Sequence, residues 1–291
     1  MSQNGEKNFS GRENTDGSGA SRLVRHGKIA ELIMDGAHTS KKKLNPTPPH
    51  MFPEMYELLK EFDADTDLNV LVIRGAGDDA FSVGGDLRVV GERQQNHEDV
   101  LERYHHPFTE PLSPYVIRMG LWRLEIEKPV IAAVQGYCLG AAFILVGQHA
   151  DLVVCGEDAV FGLTEIAHGM GSAAGARANL ARHIPYRAAM KLVLTAGSIG
   201  AEEALQLGLV NEVVPKDKVF ERSFELAEQV AAMPPVAVKA EKRFLKRSLD
   251  LPYRELMELS EPMGILTHIS HDAKEGISAF LEKRPAEFKG M

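Results

Sequence analysis

Three apolar runs, each feeding into small residues, constrain this chain more than any other feature. Residues 69–74 (NVLVIR), 129–134 (PVIAAV) and 151–155 (DLVVC) are short, β-rich and nearly free of charge, as buried strands are. The first leads into a glycine-rich stretch at 75–86. The second leads into 138–148, a predicted helix of small and apolar residues, and the third into another short strand at 159–161. Upstream, residues 28–34 (KIAELIM) read as a strand. Residues 53–62 (PEMYELLKEF) have helical spacing that puts Met55, Leu58, Leu59 and Phe62 on one stripe. Strands alternating with helices predict an α/β core.

Beyond Glu165 the pattern turns helical, with candidates at 172–183, 186–196, 201–207, 218–232, 235–248, 253–268 and 272–283; only 209–214 reads as strand. No stretch repeats at a solenoid period. Residues 1–22 hold only Phe9 as a large core-forming side chain, too little to offset ordering entropy, so a disordered tail is expected. The expected organisation is therefore a tail (1–22), an α/β core (23–215) and a helical C-terminal region (216–291).

Composition narrows the function classes. Among 291 residues, 33 Lys and Arg face 41 Asp and Glu, a formal charge of −8, which disfavours nucleic acid or anionic membrane as a broad partner. No run approaches the ~20 apolar residues of a membrane helix. Two cysteines, Cys138 and Cys155, cannot build a disulfide framework, so a reducing, cytoplasmic setting is expected.

Chemistry is suggested by three segments: Ala80-Phe81-Ser82-Val83-Gly84-Gly85-Asp86-Leu87, Gln135-Gly136-Tyr137-Cys138-Leu139-Gly140-Ala141-Ala142, and Phe161-Gly162-Leu163-Thr164-Glu165. Small residues admit a ligand close to the backbone, and helix N-termini leave N–H donors free. Two such donors aimed at one point stabilise negative charge developing on a carbonyl oxygen. Neither glycine cluster fits a dinucleotide fingerprint.

In order and spacing these segments resemble the crotonase superfamily, the enoyl-CoA hydratases and isomerases. The resemblance runs from about Leu23 to Phe288. It includes Leu44-Asn45-Pro46, where the family often has Asn-Ala-Leu, then Leu194-Thr195-Ala196-Gly197, Gly208-Leu209-Val210 and the ending Ala279-Phe280-Leu281-Glu282-Lys283-Arg284. It implies a crotonase-type ββα superhelical (spiral) core with a helical C-terminal trimerisation region, and a CoA thioester as substrate. It implies no metal and no redox cofactor, coenzyme A being part of the substrate. Carried over position by position, the oxyanion-hole N–H groups fall on Gly85 and Ala141, and Asp86, Leu87 and Arg88 line the substrate. Phe280 and Lys283 contact the nucleotide end of CoA, often across a subunit boundary, so a homotrimer or hexamer is implied. Arg88 and Lys283 are the first candidates to meet its phosphates.

One departure bears on the reaction. Family hydratases usually carry two catalytic glutamates; here the first position holds Ile144, and the second is kept as Glu165. A single carboxylate suits double-bond isomerisation, in which a proton leaves one carbon and returns to another. Hydration remains open if a replacement acid enters, with Glu125 near Trp122 and His168 as auxiliary candidates. A C–C bond hydrolase or decarboxylase, and a non-catalytic scaffold or RNA-binding relative, are the other readings. The histidines of the insertion (His97, His105, His106) read as solvated. So do Lys239, Lys242, Arg243, Lys246 and Arg247, taken as a solvent-facing helix surface.

Overall fold

A computed structural model describes residues 9–38, 41–94, 121, 124–172 and 176–291. Two sheets are threaded by a repeating connection. The larger has the order β1-β2-β3-β4-β6-β8-β11, where β1 is Phe9–Gly11, β2 Ala20–His26, β3 Ile29–Asp35, β4 Val70–Gly75, β6 Val130–Val134, β8 Leu152–Gly156 and β11 Glu212–Val214. The smaller has the order β10-β9-β7-β5, with β5 at Ala80–Ser82, β7 at Tyr137–Leu139, β9 at Val160–Gly162 and β10 at Ser198–Gly200. Each of β4, β6 and β8 lies in the large sheet and is followed by a strand of the small one. The chain then enters a helical segment: α2 (Leu87–Gln94), α3 (Ala141–His149) or the 3-10 turn Glu165–His168. This is the ββα spiral, and it is parallel from β3 through β11.

Burial on both faces explains why β6 and residues 70–73 of β4 are continuously apolar. Leu71, Ile73, Ala132 and Val134 belong to the main core, with Phe81, Cys138 and Phe161 of the small sheet. Alternate residues Val70, Val72, Ile131 and Ala133 pack with Val219 and Ala227 of α7 (Val219–Ala231). The core therefore takes in α7, beyond the expected boundary at 215. α1 (Met51–Ala64) buries Met51, Met55, Leu58, Leu59 and Phe62, as its spacing predicts. Each such side chain contributes ~1.5–3 kcal/mol on burial.

Several local expectations need correction. Residues 9–22 are not a free tail: β1 pairs antiparallel with β2, and the Asn14 amide donates to the Asp35 and Gly36 carbonyls. Main-chain and amide hydrogen bonds do there what apolar burial cannot. Cys138 lies in β7, because the helix begins only after Gly140. β10 was not anticipated. Ser172 precedes the helix α4 (Ala176–His183) rather than starting it. The remaining helices are α5 (Tyr186–Leu194), α6 (Ala201–Gln206), α8 (Pro235–Ser248), α9 (Tyr253–His268) and α10 (His271–Glu282). The basic cluster on α8 is not simply solvated. Lys242, 8% exposed, pairs with Asp151 at 2.6 Å and donates to the Lys128 carbonyl at 2.6 Å, while Arg243 pairs with Glu127. The acidic partners lie 91 and 116 residues upstream, out of reach of local pattern reading. The insertion histidines and Trp122 fall outside the described residues.

His149 ends α3 fully enclosed, with Nε2 placed 3.0 Å from the Leu121 carbonyl, to which it donates. Burial, helped by the charges of Lys246 and Lys242, pushes its pKa down to about 3. The neutral ring is the folded form, so its contribution is complete above the unfolded value of ~6.5 and is lost as pH falls from there toward 3. Urea unfolding should show about 2 kcal/mol less stability at pH 5 than at pH 7 from this group, and His149→Asn should remove most of that difference.

Candidate active site

The loop after β5 is tied down at every backbone N–H but one. Val83 N–H donates to the Leu44 carbonyl at 3.0 Å, Gly84 N–H to Ser82 Oγ at 3.0 Å, and Asp86 N–H to the Thr47 carbonyl at 3.1 Å. Thr47 N–H in turn donates to the Gly84 carbonyl at 2.7 Å. Behind them, buried Asn45 donates to the Ala76 and Ala80 carbonyls, both at 2.8 Å, and Ser82 Oγ donates to the Asn45 carbonyl at 2.6 Å. Gly85 N–H finds no acceptor among the described residues, and a Cβ at Gly85 would meet no atom within 4 Å. A fixed donor thus borders open space.

A second donor comes from the start of α3. Gly140, at φ 52° and ψ −123°, turns the chain from β7 into the helix, a conformation that favours glycine. Its N–H is used on the Gly162 carbonyl at 2.9 Å, and the helical ladder starts with Ile144 N–H on the Gly140 carbonyl at 3.0 Å. Ala141 N–H is left at the open, electropositive helix end. The two loops touch: a Cβ on Gly84 would lie 2.5 Å from the Leu139 oxygen and 3.1 Å from the Ala141 nitrogen. Glu165 arrives at the same place from the 3-10 turn. Its Oε1 is 3.2 Å from where a Cβ on Gly140 would sit, and its Oε2 accepts from Ser172 Oγ at 3.4 Å. Two free N–H donors beside a carboxylate can polarise a carbonyl and move a proton on the adjacent carbon.

Residues 38–291 match the family Enoyl-CoA hydratase/isomerase. The chain belongs to that family. Carnitinyl-CoA dehydratase of Escherichia coli (strain K12) is 33% identical over 273 residues, covering 92% of this chain and 97% of the relative. Among solved structures, the enoyl-CoA hydratase of Mycobacterium tuberculosis H37Rv superposes with a TM-score of 0.79 at 27% identity, covering 93% of this chain and 99% of that one. An enoyl-CoA hydratase/carnithine racemase from Magnetospirillum magneticum gives a TM-score of 0.77 at 25% identity, covering 93% and 96%.

Within this enoyl-CoA hydratase/isomerase fold, the structure brings Gly85, Ala141 and Glu165 together and leaves other candidates apart. Ile144, one turn along α3, is buried and lines a small apolar cavity with Phe143, Gly147, Leu163, Leu180 and Leu209. No replacement acid enters from Glu125. Its side chain is 86% exposed and 3.9 Å from Arg247, with no hydrogen bond to Glu165 among the described residues. His168 is exposed at the end of the 3-10 turn, with no hydrogen bond to Glu165 among the described residues. Asp86 is buried and accepts from Arg88 at 2.7 Å, and that guanidinium holds its carboxyl below the usual range. Arg88 is itself 64% exposed and Leu87 beside it half-exposed, both directly after Gly85 and Asp86. Phe280, 82% exposed, and Lys283 lie at the end of α10, where no hydrogen bond or ion pair links them to this cluster among the described residues. Sequence reading missed Ser172 and the Thr47–Ser82 hydroxyl contact, since each is a single hydroxyl residue with no local pattern around it.

Proposed function

We propose that this enzyme acts on an acyl-CoA thioester through an enolate, with Glu165 as its single acid/base and double-bond isomerisation as its reaction. The supporting observation is the convergence of the Gly85 and Ala141 N–H groups, which find no acceptor among the described residues, with the Glu165 carboxylate, while Ile144 fills the other position with hydrocarbon. The Glu165 carboxylate takes a proton from C2 of a 3-enoyl thioester. The C2–H electrons move into the thioester as an oxyanion held by the two N–H donors. Collapse of the dienolate draws the same proton, or a solvent proton exchanged onto Glu165, to C4, leaving a 2-enoyl thioester and the carboxylate restored. The chain's own groups suffice for these steps, so we propose no metal or redox cofactor.

The likeness to carnitinyl-CoA dehydratase favours a second reading, removal or addition of water at C3. Mass analysis of products from a panel of 2-enoyl-, 3-enoyl- and 3-hydroxyacyl-CoA esters separates the two. Unchanged mass with a moved double bond supports isomerisation; gain or loss of water supports the second reading.

We also propose self-association as a homotrimer or hexamer. Ile265, Leu266, Ile277 and Phe280 on α9 and α10, and Ile269 between the two helices, are all more than half exposed, an apolar surface of the kind that oligomers cover. Phe280 and Lys283 would then meet CoA across the subunit boundary. Light scattering should return at least three times the chain's 31.9 kDa, and a monomer mass would refute this. No helix among the described residues is long and apolar enough to cross a membrane, and free, buried Cys138 and Cys155 suit the cytoplasm we propose.

A further inference from the structure

We propose that Ser172 is a positioning residue for Glu165: its hydroxyl anchors Oε2, so that Oε1, facing the start of α3, is the oxygen that carries the proton. The proposal rests on the reading of Glu165 as acid/base. Three observations support it.

Ser172 is a buried polar side chain, 7% exposed, on a segment whose preceding residues Ile166 to Gly169 are exposed. Its hydroxyl is the sole hydrogen-bond partner of the Glu165 carboxylate among the described residues, at 3.4 Å from Oε2. The backbone is shaped to bring it there. Gly169, at φ 73°, reverses the chain after the 3-10 turn, Gly169 N–H donates to the Ile166 carbonyl, and Met170 N–H donates to the Glu165 carbonyl at 3.1 Å. Residue 172 is thereby returned to residue 165.

A glutamate has three side-chain torsions, and one O–H on one oxygen removes much of that freedom. The two carboxylate oxygens become unequal: Oε2 is occupied, while Oε1 lies 3.2 Å from the position of a Cβ on Gly140. Hydrogen bonds of catalytic groups are often long before substrate binds and tighten in the complex, so 3.4 Å is compatible with a working contact. The serine hydroxyl need not exchange its own proton; it donates to Oε2 throughout, while Oε1 alternates between bare and protonated.

The test compares Ser172→Ala and Ser172→Thr with the wild type, using whichever CoA ester of the panel the wild type turns over fastest. Removing the hydroxyl should lower kcat about tenfold, the loss of one hydrogen bond to a charged group, with KM unchanged. Threonine, which keeps the hydroxyl, should restore kcat to within about threefold of the wild type. Thermal unfolding of each variant confirms that it is folded. A KM rise with kcat intact, or a threonine variant as slow as alanine, overturns the proposal. Glu165→Gln in the same assay separates the two levels. If that variant keeps full activity, the acid/base reading fails. If it is inactive and Ser172→Ala is as fast as the wild type, only the role of Ser172 fails.

Discussion

Glu165→Gln should lower kcat by ~10²–10⁴-fold while leaving affinity for the CoA ester within about threefold, since general acid–base catalysis by a positioned side chain contributes on that scale. The substitution keeps size and shape. A glutamine carbonyl oxygen still accepts from Ser172 Oγ, and its amide still fits beside Gly140, where Oε1 now stands 3.2 Å from a notional Cβ. What is lost is the capacity to take a proton from carbon and hand it back. Ile144 offers no second carboxylate on α3, and the exposed Glu125 pairs with Arg247, so no substitute acid stands beside Glu165 among the described residues. Steady-state kinetics together with calorimetric titration of a CoA ester read both parts. Unimpaired kcat would remove Glu165 from the mechanism.

Gly84→Ala should be nearly as damaging, for a geometric reason. Gly84 sits at φ 85°, where an L side chain is strained, and the added methyl carbon would lie 2.5 Å from the Leu139 oxygen and 3.1 Å from the Ala141 nitrogen. Both neighbours are backbone and cannot swing aside. Either the 82–86 loop or the β7–α3 junction must move, and the two N–H donors lose their common focus. Removal of one such donor costs ~10²–10³ in kcat, and a left-handed alanine adds ~1–2 kcal/mol of destabilisation. Gly85→Ala is the control for stability. Its Cβ meets nothing within 4 Å, so unfolding should change by less than about 0.5 kcal/mol even though the methyl enters the space beside the donor. Equal stability and activity for Gly84→Ala and the wild type would mean that the loops do not meet as described.

The parts of this protein legible from sequence are those set by short-range periodicity. β4, β6 and β8 are apolar on both faces because α7 and the small sheet cover them, and the α1 stripe follows from helical spacing. Glycine placement located the two donor loops for a similar reason, as close backbone approach leaves a mark on residue type. What escaped were contacts between polar residues distant in sequence. Asn14 tying the N-terminal strand to Asp35, Lys242 reaching Asp151, and Asn45 clamping Ala76 and Ala80 each join segments that no local window contains. Ser172 escaped over only seven residues, because its approach to Glu165 depends on the reversal at Gly169.

In the proposed reaction one carboxylate moves one proton between two carbons without adding water. The decisive measurement is turnover of a 3-enoyl-CoA ester carrying two deuterons at C2, in ordinary water, with the label located by NMR and mass spectrometry. The expected 2-enoyl product has lost one of the two deuterons at C2, has gained a proton or that deuteron at C4, and carries no additional oxygen. A product hydroxylated at C3, or one in which C2 keeps both deuterons, would rule out Glu165-driven isomerisation.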